Sequence, residues 1–147
     1  MRSTQETSTI RVLLVDDSAP LRDAVRRMLS ETEAICICGE ASNGYEALDR
    51  ARQLRPEVIV MDIGMPAMDG LEATRRLRRL GFETEILIFT EHNSEHAKSA
   101  SLEAGARGYL PKSQAAELPG AIRIVAHHAA YPGHAILDSA SATAGAN

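Results

Sequence analysis

Ile10-Arg11-Val12-Leu13-Leu14-Val15-Asp16-Asp17-Ser18-Ala19-Pro20-Leu21 is the stretch on which the fold turns. Residues 12–15 are a continuous aliphatic run of strand length, the mark of a strand buried on both faces, as in a parallel sheet. Two adjacent carboxylates end it. Ser18 then stands where a helix N-cap belongs, with Pro20 in the first turn. Leu21, Val25, Met28 and Leu29 follow at helical spacing, opposite Arg22, Asp23, Arg26 and Arg27.

This strand-to-helix step recurs. Further strand-like runs lie at 35–39, 57–61, 85–89 and 107–110. Between them, Ala47, Leu48, Ala51 and Leu54 form a second stripe after the cap candidates Ser42 and Asn43, ended by Pro56. Leu71, Thr74, Leu77 and Arg78 follow the Asp69-Gly70 turn, with Gly81 expected at the helix end. Residues 94–104 make a weaker helix of small side chains. A last helix starts near Glu117 or Leu118 and turns Ala121, Ile122 and Val125 inward. Strands alternating with helices predict a doubly wound α/β sheet in a single domain.

Composition agrees. The 147 residues are 44% hydrophobic and 24% charged, enough for one self-sufficient core. Aromatics are 3% and Trp is absent, so that core is aliphatic. A formal net charge of -4 argues against non-specific binding to nucleic acid or an anionic membrane. No apolar run approaches the roughly 18 residues that span a bilayer, and no signal-peptide pattern opens the chain; a cytoplasmic location follows by default. Cys36 and Cys38 on one strand would have Cβ atoms about 7 Å apart, too far for a disulfide. Residues 1–9 and the small, polar tail 133–147 are expected to be disordered.

In an open parallel sheet, ligands bind beyond the carboxyl ends of the strands. Those ends carry Asp16 and Asp17, then Asp62 within Met61-Asp62-Ile63-Gly64-Met65-Pro66, then Thr90, then Lys112 after Gly108-Tyr109-Leu110-Pro111. Two carboxylates about 5 Å apart at an effective dielectric of about 20 repel by roughly 3 kcal/mol. Three of them raise a pKa or recruit a cation, and one ammonium is short of balance. An oxygen-only ligand set favours Mg²⁺, which suits phosphate chemistry. A carboxylate beside Mg²⁺ and an ammonium can attack a phosphoryl group. The loop after the first strand lacks the glycine-rich cradle of a nucleotide site. A dehalogenase-like phosphatase would place its two acids two residues apart on the first strand, which this chain does not.

With these residues assembled, the chain resembles the receiver domain of bacterial response regulators over residues 10–132, most closely receivers of LuxR/NarL-type regulators (Leu102-Glu103-Ala104-Gly105-Ala106-Arg107-Gly108-Tyr109-Leu110-Pro111-Lys112, then Glu117-Leu118-Pro119-Gly120-Ala121-Ile122-Arg123). The resemblance implies a flavodoxin-like five-stranded sheet of order 2-1-3-4-5. It implies that Asp62 accepts phosphate from a sensor histidine kinase in a two-component phosphorelay. It also implies that Asp17, Asp62 and the Gly64 carbonyl ligate Mg²⁺ directly and Asp16 through water, and that Lys112 is the essential lysine. Thr90 and Tyr109 resemble a switch pair acting on the face of the fourth helix, fifth strand and fifth helix, although a half-buried edge aromatic is the plain reading of Tyr109. Such a domain is no enzyme beyond its own phosphorylation and dephosphorylation.

Three positions depart from the pattern. Glu91 follows Thr90 and is expected to turn to solvent. Ser113, in place of a proline, follows Lys112 and leaves the usual cis bond open. Gly64 offers no side chain to orient an attacking water, which His92 could supply instead, so phosphoryl loss should be slow. Arg22, Arg26 and Arg27 are candidates for kinase recognition, and Ile124 with His127 and His128 for a contact strip on the last helix. Only about 15 residues follow Pro132, too few for a helix-turn-helix. DNA would then be reached only through an output domain outside this chain, with phosphorylation controlling a homodimer. A stand-alone receiver acting by protein contact or phosphotransfer is the alternative.

Overall fold

The computed structural model describes residues 9–131. The expectations for residues 1–8 and for the tail from 133 lie outside that span. Five parallel strands, β1 (Ile10–Val15), β2 (Ile35–Ala41), β3 (Val58–Met61), β4 (Glu85–Thr90) and β5 (Gly108–Pro111), stand in the order β2-β1-β3-β4-β5. They alternate with α1 (Ala19–Ser30), α2 (Gly44–Leu54), α3 (Gly70–Arg79), α4 (Glu95–Ala104) and α5 (Leu118–Ala126). A 3₁₀ stretch, Lys112–Glu117, leads into α5.

The strand side chains alternate between two aliphatic layers. Leu13, Val15, Ile59, Met61, Ile86 and Ile88 pack with Ala47, Ala51, Leu77 and Ala97 of α2, α3 and α4. Val12, Leu14, Val58, Val60, Leu87 and Phe89 pack with Val25, Leu29, Ile122 and Val125 of α1 and α5. Each fully buried aliphatic side chain contributes about 2 kcal/mol, and burial on both faces explains why the strands read as unbroken apolar runs. Polar residues inside the layers are satisfied by their own helices: the Thr74 hydroxyl donates to the Gly70 carbonyl (2.7 Å) and the Ser101 hydroxyl to that of Ala97 (2.7 Å).

Side-chain caps start the first four helices. Ser18, Asn43, Asp69 and Ser94 each accept a backbone N–H from the first turn. α3 also ends in Arg76, Arg78 and Arg79, which complement the negative end of its dipole. Leu80 caps the end of α3, and Gly81 follows it in the left-handed region, φ 84°.

Several boundaries differ from the sequence reading. β2 continues to Ala41, because a register shift between Val12 and Leu13 leaves Cys38 without a partner on β1 and the ladder then resumes. Glu57 stays outside β3, its carboxylate accepting the Arg11 N–H (2.9 Å). β5 begins at Gly108, not at 107. Both cysteines are free. α5 stops at Ala126, so His127 and His128 do not share a helix face with Ile124. Among the described residues no peptide is cis, Lys112–Ser113 included, and no helix is long and apolar enough to cross a membrane.

The Asp69-Gly70 pair does more than turn the chain. A Cβ on Gly70 would lie 1.9 Å from the Asp62 carbonyl oxygen, and the Gly70 N–H donates to Ile63 (2.9 Å). The start of α3 is thus pressed against the end of β3. Gly70→Ala is expected to cost about 3 kcal/mol by overpacking against immobile backbone. Gly120→Ala, where the added Cβ meets nothing within 4 Å, should leave stability unchanged or raise it by up to about 1 kcal/mol. Urea titrations of the two variants beside the parent check both.

Candidate functional site

The carboxyl edge of the sheet is held in register beyond the strands themselves. The Asp16 N–H donates to Ala41 (3.0 Å) and the Asp62 N–H to Val15 (3.0 Å), which fixes both acids one residue past β1 and β3. Arg22, on the first turn of α1, donates to the Asp16 carbonyl (2.5 Å) and to Glu40 (2.8 Å). Sequence reasoning offered Arg22 and Arg26 as kinase-facing residues. Both are engaged by Glu40, and Arg22 also braces the site. The only sequence signal was its place one turn after the acid pair.

Asp16, Asp17 and Asp62 each present a carboxylate oxygen, and these lie within 4.8 Å of one another. Asp16 is 2% exposed, Asp62 9%, and Asp17 is open to solvent. Lys112 reaches across from the end of β5. Its Nζ donates to Asp16 Oδ2 at 2.8 Å and to Asp62 Oδ2 at 3.0 Å. The other Asp16 oxygen accepts the Ser18 N–H (2.9 Å), and the other Asp62 oxygen that of Ile63 (2.7 Å). Ser18 therefore serves twice, as cap of α1 and as donor to the site.

Burial pushes the Asp16 carboxyl above its ordinary pKa, against the pull of Lys112 and Ser18, with the Asp62 charge adding to the rise. Burial also pushes the Lys112 ammonium down, but its bonds to the two acids outweigh this and leave it raised. Lys112 stays charged throughout the neutral range. One ammonium facing three carboxylates leaves a net negative site that could hold a metal ion. Its oxygen-only donors suit a hard cation.

These groups open on a cleft of about 280 Å³ that Gly64, Thr90 and His92 also line. Larger clefts, of about 610 and 550 Å³, lie at the amino end of the sheet and contain none of them. Glu91 is exposed and also lines the cleft, at its rim. Thr90 is fully buried. Its Oγ1 accepts the His92 N–H (3.3 Å), which leaves its own proton to donate into the cleft. The His92 ring lies over Gly64, its Nε2 3.6 Å from where a Cβ would be.

Tyr109 stands behind the cleft, not in it. The expected half-buried edge aromatic is fully buried, packed in the layer with Ile88, Ala97 and Ala106. Its hydroxyl donates to the His92 carbonyl, while burial raises its pKa. The backbone of one residue, His92, therefore links Thr90 through its N–H to Tyr109 through its C=O. The sequence supplied both ends of this link without showing the link.

This geometry can be set beside known proteins. Response regulator GacA of Pseudomonas viridiflava is 40% identical over 117 residues, 79% of this chain and 55% of that one. The nitrate/nitrite response regulator protein NarL of Escherichia coli K12 is 39% identical over 115 residues, 78% of this chain and 52% of that one. The chain thus spans about half the length of the curated relatives it matches. Among solved structures, a LuxR-family two-component response regulator from Aurantimonas sp. SI85-9A1 superposes with a TM-score of 0.81 at 36% identity, covering 84% of this chain and 89% of that one. The family model described as the response regulator receiver domain matches residues 12–123, well over half the chain. The protein belongs to the receiver domains of two-component response regulators.

Proposed function

We propose that Asp62 is the phospho-acceptor of this receiver, within a domain spanning residues 10–132. The observation that carries this reading is the Lys112 ammonium shared between Asp16 and Asp62 at 2.8 and 3.0 Å, with Asp17 beside them at the mouth of a small cleft. An Asp62 carboxylate oxygen attacks phosphorus, the P–N bond of a kinase phosphohistidine breaks, and the electron pair returns to the imidazole. Lys112 keeps its proton and turns from the carboxylates to the phosphoryl oxygens, which carry more charge. Thr90 donates its hydroxyl proton to the same group. Mg²⁺, held by Asp17, Asp62 and the Gly64 carbonyl and through water by Asp16, would offset charge on the transferring oxygens when bound. Movement of Thr90 shifts the His92 backbone, and with it Tyr109 and the α4-β5-α5 face.

The relatives are named as response regulators, and we read this chain as part of such a regulator, working in the cytoplasm downstream of a sensor histidine kinase. Its phosphorylated form would dimerise and control transcription through a DNA-binding part, as a proposal for the whole protein. A receiver that acts by protein contact alone shares every feature of the site and differs only in what it engages.

A small phosphodonor such as acetyl phosphate with Mg²⁺ is expected to add one phosphoryl group to the protein and none to Asp62→Asn. Intact-mass measurement reads the addition, and sizing of the two samples reads the dimer. Labelling of Asp62→Asn to the parent level would move the acceptor elsewhere. With a glycine at 64, spontaneous loss of the phosphoryl group should take minutes or longer, and a half-life of seconds at neutral pH would contradict that expectation.

The acid cluster is costly to the fold. A carboxyl raised above its ordinary pKa loses stability as pH rises through the raised value, so at neutral pH Asp16 is a burden. Asp16→Asn keeps the Ser18 contact and sheds that charge. It should raise Tm at neutral pH by roughly 3 °C, and the gain should shrink as acid protonates Asp16 in the parent. Added Mg²⁺ should stabilise the parent more than the variant. Thermal melts at neutral and mildly acid pH, with and without Mg²⁺, test all three statements.

A further inference from the structure

The edge of β5 that faces away from β4 is closed by the chain itself. After α5, His127 caps the helix and His128 takes a left-handed conformation, φ 65°, which reverses the backbone. Tyr131 then forms a parallel bridge to Gly108. Its N–H donates to the Arg107 carbonyl (3.3 Å), and its carbonyl accepts the Tyr109 N–H (2.7 Å). The approach depends on Gly108: a Cβ there would come within 3.0 Å of the Tyr131 Cβ and carbonyl oxygen. The Tyr131 ring is buried in the α1/α5 layer, and its hydroxyl donates to Glu117.

A second anchor lies at the reversal. His128 Nδ1 sits 2.6 Å from Glu85 Oε2. Glu85 is 5% exposed and gripped by Arg107 (3.1 and 3.2 Å) and Arg78 (3.4 Å). Burial pushes its carboxyl up, but Arg107, His128 and Arg78 more than reverse this, so it is an anion and His128 is the donor. Within four residues the segment is tied to β4, β5 and the 3₁₀ stretch.

One of those ties falls on Tyr109. Its hydroxyl is bonded to His92 at the carboxyl end of β4, and its N–H to Tyr131 on the outer edge. β5 is only four residues long and has no other strand on that side. Detachment of Tyr131 would leave an edge N–H unpaired and the strand free to fray, which loosens the residue that must hold the ring inward.

We propose that residues 127–131 form a strap that holds Tyr109 in its inward position, so that anchoring of the chain's exit from the domain and the state of the switch rise and fall together. The phosphorylation side of this coupling rests on the reading of Asp62 and Tyr109 given above. The strap itself does not. Signal would then reach the residues from Pro132 onward through the backbone of Tyr109 directly, in addition to any rearrangement of helix faces.

Two arms test it. In the first, amide hydrogen exchange of the strap is followed in the parent, Tyr109→Phe and Tyr109→Ala. Loss of the ring should speed exchange in 128–131 by about tenfold, with the hydroxyl-only variant between. Unchanged exchange in both overturns the proposal whatever the phosphorylation chemistry. In the second arm the strap is loosened by His128→Gly, which keeps the left-handed turn and removes the Glu85 contact, and separately by Tyr131→Ala. Affinity for beryllofluoride with Mg²⁺ should fall about fivefold, within the usual range of coupling between sites. Parent-like affinity in both folded variants overturns the coupling. Failure of beryllofluoride to bind the parent overturns the reading of Asp62 instead, and the exchange arm still decides the strap.

Discussion

One ammonium shared by two buried carboxylates sets the terms for the rest of this molecule. Lys112 lies on the edge side of the sheet, Asp16 and Asp62 at its centre, and the lysine reaches them across the end of β4, which the strand order places between. It therefore depends on a long-range arrangement of five parallel strands, each buried on both faces. The surrounding devices serve that arrangement. Ladder bonds continue past the ends of β1 and β3, Arg22 braces the Asp16 carbonyl, and Gly70 lets α3 close against Asp62. None is chemically active, and without them the acids would spread to reduce their repulsion.

The aliphatic core supplies the rigidity that this crowding requires. Two closely packed layers, aliphatic apart from Phe89, Tyr109 and Tyr131, resist gradual deformation. Motion is then confined to groups that have a second place to go. On the function proposed above, Thr90, Tyr109 and the His92 backbone between them would be such groups, each held by a hydrogen bond that could be exchanged for another.

Much of this was legible in the sequence. Unbroken runs at Val12 to Val15 and Val58 to Met61 marked buried strands, and Ser18 and Asn43 marked helix starts, because these features depend on neighbours in the chain. Acids, threonine and lysine at strand ends could be listed as one site because a parallel sheet gathers its carboxyl ends. What escaped depends on contacts distant in sequence. Gly70 looked like a turn residue, yet it is needed for backbone contact with Asp62. Tyr109 on an edge strand suggested half exposure, but α4 and the return of the chain at Tyr131 cover it. Glu85 read as an ordinary strand start, and its burial became possible only through Arg107, Arg78 and His128. The histidine pair seemed to extend α5 because nothing local announces a left-handed residue at 128.

The bridge between Thr90 and Tyr109 has a consequence for how such a domain can diversify. Both of its contacts are made by the N–H and C=O of His92, groups that every residue but proline carries in full. The relay is thus blind to the identity of the side chain at this position. That side chain lies over Gly64, next to where a phosphoryl group would be lost to water. On the function proposed above, a change of residue at 92 would alter the lifetime of the phosphoryl group while leaving the backbone link intact. Duration and transmission would then rest on different atoms of one residue.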